Sequence, residues 1–125
     1  ADIVLQSDPA RLEQVITNLV TNAVKFTPES GSIEIRVERE GPETSGKIPV
    51  RFSIADTGPG ILKDDLKKIW LPFHQLSSGN TRRHGGVGLG LFLVKSILSY
   101  LDGDVEYSPR NGGGSVFTVR MTFAI

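Results

Sequence analysis

Apolar residues recur at helical spacing in two long segments of the chain. In the first, they repeat every three or four positions between Asp8 and Phe26, which predicts an amphipathic helix with one buried face. Asp8 is a suitable N-cap, Pro9 fits the first turn, and Pro28 is expected to stop the helix. The apolar positions are Leu12, Val15, Ile16, Leu19, Val20, Ala23 and Val24.

The second long helix is expected to begin at the glycine-rich segment 85–90, and Gly103 can end it. A shorter helix is predicted between the two, from about Lys63 to Ile69. The polar stretch 72–86, which has no periodicity, is predicted to be a long loop. The apolar positions of the second long helix are Leu89, Phe92, Leu93, Ile97, Tyr100 and Leu101.

Apolar and polar residues alternate between and after the helices, as in strands with one buried face. The segments concerned are 33–38, 50–54, 104–108 and 115–123. A sheet covered on one side by helices buries every apolar face, so the pattern predicts a two-layer α/β (α+β) fold. We expect a single domain over residues 1–125.

Composition excludes several classes of function. The formal net charge of zero gives no reason to expect nucleic acid as a partner. The absence of cysteine excludes disulfides and thiolate zinc sites. No apolar run approaches the roughly 20 residues of a membrane span, so direct membrane contact is not expected either. Because the chain does not begin with Met, we expect it to be a segment of a larger protein.

A polar stripe lies on the otherwise apolar first helix. Asn18, Asn22 and Lys25 are spaced i, i+4 and i+7, so they project from one face. Asn offers a neutral oxygen to a hard cation, and Lys offers a point charge to phosphate. Taken alone, such a triplet is more often a solvated helix face.

The motif Asp-Thr-Gly-Pro-Gly at 56–60 follows a predicted strand. A carboxylate at Asp56 can accept a hydrogen bond from an exocyclic amine such as that of adenine, and glycines allow close approach to a flat base. An ordinary strand-ending turn explains the motif equally well on its own.

A second glycine motif, Gly-Gly-Val-Gly-Leu-Gly at 85–90, leads into the second long helix. Free N–H groups at a helix N-terminus favour phosphate. Since alternating glycines cost helix stability, a binding function is favoured over a merely flexible entry. The motif is neither a Walker loop nor a dinucleotide fingerprint. The three motifs in this order indicate a nucleotide pocket.

Together the motifs resemble the ATP-binding catalytic domain of sensor histidine kinases, which has the Bergerat fold of gyrase, mismatch-repair and heat-shock-chaperone ATPases. The likeness covers nearly all of the chain. Residues 18–26 are similar to the N box, 56–60 to the G1 box, 70–73 to the F box, 86–90 to the G2 box and 112–117 to the closing turn and strand. The implied fold has a mixed sheet of about five strands packed on three helices.

The resemblance also implies a role for each motif in binding Mg-ATP. Asn22 would coordinate Mg²⁺, and Asn18 and Lys25 would act at the phosphates as catalytic residues. Asp56 would bind the adenine amine. The other nucleotide-binding residues that it implies are Gly58, Gly60, Ile61, Phe73, Arg82, Gly86, Val87, Gly88, Leu89 and Gly90.

The implied reaction is transfer of the γ-phosphoryl group to a histidine on a dimerisation and phosphoacceptor domain, with a response regulator receiver domain downstream. The chain has no helical His followed by an acid in a heptad-like pattern, so we expect it to bind Mg-ATP or ADP without autophosphorylating alone. It would be a cytoplasmic domain of a soluble or membrane-anchored parent. Segments 73–75 and 82–86 resemble the hybrid subgroup, which carries its own receiver domain.

Asn18 lies where the hydrolysing ATPases of the superfamily carry a Glu that activates water. An amide is not a general base at neutral pH, so kinase chemistry is favoured over autonomous hydrolysis. Four alternatives stay open: a nucleotide-binding module without transfer activity, a superfamily ATPase, a serine kinase of the same fold, and a structural interaction domain.

Overall fold

The structure is a computed structural model that describes residues 7–72 and 90–124. Within these ranges, two α-helices pack on one face of a four-stranded sheet. The elements in chain order are α1 (Pro9–Phe26), β1 (Ile33–Arg39), β2 (Lys47–Asp56), a 3₁₀ turn (Lys63–Asp65), α2 (Gly90–Tyr100), β3 (Asp104–Pro109) and β4 (Ser115–Ala124).

Both ends of α1 form as predicted. The Asp8 carboxylate accepts from the Arg11 N–H at 3.2 Å, and Pro9 is the first helical residue. At the other end, Thr27 donates to the Ala23 carbonyl through its N–H at 3.0 Å and its hydroxyl at 2.7 Å. The apolar face is narrower than predicted, because Val24 is 59% exposed. The fully buried residues of α1 are Val15, Leu19 and Ala23.

The end of α2 differs in one detail from the sequence prediction. Asp102, not Gly103, adopts the left-handed conformation that closes the helix, with φ of 58°. Gly103 donates its N–H to the Leu98 carbonyl at 2.7 Å, and a Cβ there would lie 2.7 Å from the Met121 side chain. Gly103 is therefore needed for close packing on β4, not for its backbone conformation.

The strand order is β1-β2-β4-β3, and every pairing in the described ranges is antiparallel. The described ranges thus contain a four-stranded antiparallel sheet with two α-helices, where a mixed sheet of about five strands on three helices was expected. The centre of the observed sheet is the ladder between β2 and β4, which pairs Lys47 with Ala124 at one end and Asp56 with Ser115 at the other. The predicted helix at 63–69 is a 3₁₀ turn, because its first backbone hydrogen bonds span three residues.

One core joins the two layers. Ile54, Phe117 and Val119 of the sheet pack against the buried faces of α1 and α2. The helices leave the β1 side of the sheet partly uncovered, and Val37 is 65% exposed although the alternation predicted it to be buried. A groove of about 640 Å³ lies there, lined by residues that include Leu12 and Phe52. In the described residues, neither helix is long and apolar enough to cross a membrane.

The turn between β3 and β4 is built around one glycine with no room for a side chain. Gly114 has φ of 113°, and a Cβ there would lie 1.9 Å from the Asp56 carbonyl oxygen. Arg110 closes the turn by donating its backbone N–H to the Gly114 carbonyl and its guanidinium to the Gly113 carbonyl, both at 3.1 Å. The close approach of Gly114 to Asp56 fixes the turn directly against the end of β2.

Replacement of Gly114 by Ala should therefore be far more harmful than the same change at its neighbour. Gly113 has a similar φ of 110°, but a Cβ there would have no atom within 4 Å. We expect Gly113→Ala to lower the free energy of unfolding by about 1–3 kcal/mol from backbone strain alone. Gly114→Ala adds a collision with backbone and should cost roughly 4 kcal/mol or more. Urea unfolding of both variants measures the difference; equal losses would contradict the close approach.

Candidate functional site

Asp56 is a buried carboxylate at the end of β2. Its residue surface is only 4% exposed, and its Oδ1 accepts from the Gly58 N–H at 2.9 Å. Burial raises the pKa of Asp56 above its ordinary value of 3.8, while hydrogen bonds from the backbone of Gly58 and Ser115 and the positive charge of Arg110 act in the opposite direction. The site thus holds a desolvated acceptor for which a further hydrogen-bond donor would be favourable.

The turn after Asp56 is held on one side by α1 and by the segment that follows it. A Cβ on Gly58 would lie 2.6 Å from the Phe26 carbonyl oxygen, so the turn abuts the last residue of α1. The Thr57 N–H donates to the Ser32 carbonyl at 3.1 Å, and the Ser32 N–H donates to the Thr57 hydroxyl at 2.8 Å. These contacts fix the turn at the C-terminal end of the first helix.

The other side of the turn is held by β3 and the β3–β4 turn. Gly60 has φ of 75°, and a Cβ there would lie 3.2 Å from the Gly114 carbonyl oxygen. The Ile61 N–H donates to the Tyr107 hydroxyl at 3.2 Å. Residues 56–61 are therefore held between α1 and the β3–β4 turn.

The polar stripe of α1 contains an unsatisfied buried group. The Nδ2 atom of Asn18 is buried and has no hydrogen-bond partner among the described residues. Asn22 and Lys25, farther along α1, are half-buried. A buried amide donor without a partner is costly, so a hydrogen-bond acceptor at this position would be favourable.

The structure brings together the two predicted motifs that it describes. Asn18, Asn22 and Lys25 lie on α1, and Asp56, Gly58, Gly60 and Ile61 lie on the turn that contacts the end of that helix. Gly90 is the first described residue of α2. Outside the described residues are Phe73, Arg82, Gly86, Val87, Gly88 and Leu89, for which nucleotide binding stays a prediction, and the two segments that suggested a hybrid kinase.

Trp70, in the segment similar to an F box, packs into the domain. Its ring meets Phe117 edge to face, with 6.0 Å between ring centroids, and the Lys95 ammonium lies 4.9 Å from its centroid. These contacts connect the segment to β4 and α2.

Sequence reasoning missed Tyr107 and Arg110 as residues of the site. Both lie about 50 residues beyond Asp56 in the sequence, and their proximity to it follows from the β2–β4 and β3–β4 registers. The glycine run at 112–114 was the one local signal, and it predicted a turn without saying what the turn contacts.

Curated relatives of this chain are sensor kinases. It is 41% identical over 110 residues to the signal transduction histidine-protein kinase BarA of Escherichia coli, which covers 88% of the chain and 12% of BarA. It is 43% identical over 118 residues to the autoinducer 2 sensor kinase/phosphatase LuxQ of Vibrio harveyi, covering 92% of the chain and 13% of LuxQ. The chain therefore spans about an eighth of the length of these relatives.

Solved structures show the same fold. The mycobacterial sensor histidine kinase MprB aligns with a TM-score of 0.77 at 22% identity, covering 96% of the chain and 77% of the MprB chain. Full-length ShkA in complex with AMPPNP aligns with a TM-score of 0.74 at 34% identity, covering 96% of this chain and 23% of the ShkA chain. The two-layer α+β architecture is thus of the Bergerat type, as the resemblance implied.

The sequence model of one family, described as "Histidine kinase-, DNA gyrase B-, and HSP90-like ATPase", matches residues 7–125. This match includes nearly the whole chain, and the curated relatives select the histidine kinase branch. The chain belongs to this ATPase family and is a histidine kinase catalytic domain.

Proposed function

We propose that this domain binds Mg-ATP and donates the γ-phosphoryl group to a histidine on the dimerisation and phosphoacceptor domain of its parent protein. The phosphoryl group would then pass to the receiver domain of a response regulator, with the catalytic domain working in the cytoplasm. The observation that carries the proposal is the buried Asp56 carboxylate on a turn fixed from both sides. The kinase relatives support it.

Asp56 is suited to recognise adenine. A carboxylate accepts a hydrogen bond from the exocyclic amine of adenine, whereas the corresponding position of guanine carries an oxygen that it would repel. Gly58 and Gly60 present no side chains, so a flat base can approach the backbone closely. Burial strengthens the hydrogen bond because water does not compete for the acceptor.

The polar stripe of α1 is suited to the phosphates and the metal. The unsatisfied Asn18 Nδ2 would donate to a phosphate oxygen, and Lys25 would add a positive charge. Mg²⁺ is usually held by one or two protein oxygens together with phosphates and waters, so the Asn22 amide oxygen fits it as a ligand. When bound, Mg²⁺ would offset the negative charge of the phosphates.

The chain contributes positioning and charge neutralisation to phosphoryl transfer, not acid–base chemistry. Asn18 lies at the place of the water-activating carboxylate of hydrolysing relatives and has no basic group to offer. Proton transfer would therefore depend on the acceptor histidine and its neighbouring acid in the phosphoacceptor domain.

Replacement of Asp56 by Asn should weaken ADP binding, because a charge-assisted hydrogen bond to the amine is lost. The expected loss is about 1.5–3 kcal/mol, or roughly 10–150-fold in Kd. Calorimetric titration of the isolated chain with ADP measures it. Asp104→Asn, at an exposed position of β3, is the matched control and should bind as the wild type does.

A pH series gives the Asp56 prediction a second readout. Since burial raises the pKa of Asp56, its carboxylate is protonated at a higher pH than an ordinary Asp with pKa 3.8. Adenosine affinity of the wild type should therefore fall on acidification while the pH is still above 3.8. Asp56→Asn should show only the weakening that comes from protonation of adenine itself. Unchanged ADP affinity in Asp56→Asn, or identical pH profiles, would remove Asp56 from the base pocket.

Replacement of Asn22 by Ala should reduce binding of Mg-ADP far more than binding of metal-free adenosine, because the amide oxygen serves the metal. Calorimetry with ADP at several Mg²⁺ concentrations, beside adenosine without Mg²⁺, separates the two. Thr21→Ala, one position earlier on an exposed part of α1, is the control. Equal losses for both ligands would exclude Asn22 from the metal site.

The transfer reaction is tested with γ-labelled ATP. We expect the isolated chain to acquire no label and to release no phosphate steadily, whereas the complete parent protein forms acid-labile phosphohistidine. Label on the isolated chain would contradict the proposal. Steady phosphate release would identify an ATPase, and nucleotide binding without label in the parent would identify a module that binds but does not transfer.

A further inference from the structure

Tyr107 connects the core of the domain to the turn that carries the proposed base pocket. It lies on β3, half-buried, and its ring packs edge to face on Phe117 with 5.5 Å between centroids. Phe117 is a core residue of β4 that is 3% exposed and pairs with Tyr107 in the ladder. The ring is therefore fixed by the core, and its hydroxyl extends to the Gly60–Ile61 backbone.

The hydroxyl of Tyr107 accepts from the Ile61 N–H at 3.2 Å, across 46 residues of sequence. A Cβ on Gly60 would lie 3.7 Å from the same oxygen. In the part of the turn that follows Thr57, the Gly58 N–H donates to the Asp56 carboxylate and the Ile61 N–H donates to the Tyr107 hydroxyl. The shape of this turn thus depends on two side chains, one at each end.

We propose that Tyr107 is a positioning residue for nucleotide binding, which holds the 58–61 turn in the conformation that receives the base. The inference rests on the proposed function, because it assigns the turn to adenine. Phe in place of Tyr107 would keep the ring contact with Phe117 but leave the Ile61 N–H without its acceptor. The turn would then sample other conformations, and ligand binding would have to order it again.

The test is Tyr107→Phe, measured beside the wild type and beside Tyr100→Phe. Tyr100, on α2, is 74% exposed and contacts Arg11, away from the turn. Tyr100→Phe also removes one tyrosine hydroxyl and is therefore the matched control. We expect Tyr107→Phe to weaken adenosine and ADP by the same factor, about 3–10-fold, as for one neutral hydrogen bond. The dependence of ADP binding on Mg²⁺ should stay unchanged, because the polar stripe of α1 is untouched.

A spectroscopic readout separates positioning from general destabilisation. In the nucleotide-free protein, the amide proton of Ile61 should shift upfield and exchange faster in Tyr107→Phe, whereas core amides of β2 and β4 stay protected. Tyr100→Phe should reproduce the wild-type spectrum at Ile61. If Tyr107→Phe fails to fold, the wild type still decides: its Ile61 amide should be protected from exchange without nucleotide, and an unprotected Ile61 amide would overturn the inference.

The outcomes distinguish this inference from the function on which it rests. If the wild type binds ADP and Tyr107→Phe binds it with the same affinity, the inference alone is overturned, even if the Ile61 amide shifts. Unequal loss of adenosine and ADP would also overturn it, since the hydroxyl would then act on the phosphates. Failure of the wild type to bind either ligand would overturn the proposed function, and this inference with it.

Discussion

The contact on which the proposed site depends is the approach of Gly114 to the carbonyl of Asp56, where a side-chain carbon would lie 1.9 Å from the oxygen. It joins the end of β2 to the β3–β4 turn. The same turn places Arg110 near the buried carboxylate and Gly114 beside Gly60. Because α1 meets the other side of the 56–61 turn at Phe26, one small region brings together groups from α1, β2 and β3.

This region carries two features that oppose stability of the free protein. Burial disfavours the charged form of Asp56, and the Asn18 amide is buried without a partner in the described part of the chain. A nucleotide would supply a hydrogen-bond partner for each group, an amine for the Asp56 carboxylate and a phosphate oxygen for the Asn18 amide. The costs in the free state and the proposed gains on binding thus fall on the same residues, as expected for a site organised before its ligand arrives.

Local signals in the sequence predicted local structure well. The bounds of α1 follow from Asp8, Pro9 and Pro28, and alternation located the strands near Ile54 and Phe117. The strand pairing was not predicted, because period two says which face is buried but not which neighbour a strand takes. The alternation around Val37 predicted a buried position, but the helices do not cover that part of the sheet and Val37 is exposed. Tyr107 was missed because its partner is 46 residues away.

The most direct test of the account is a nitrogen-15 NMR titration of the isolated chain with ADP and Mg²⁺. We predict that the largest shifts fall on the backbone amides of Asn22, Gly58, Gly60 and Ile61 and on the side-chain amide of Asn18. Amides beside the groove, such as Val37, should stay unmoved. Shifts centred on the groove, or an unchanged spectrum at millimolar ADP, would contradict the assignment of this region as the nucleotide pocket.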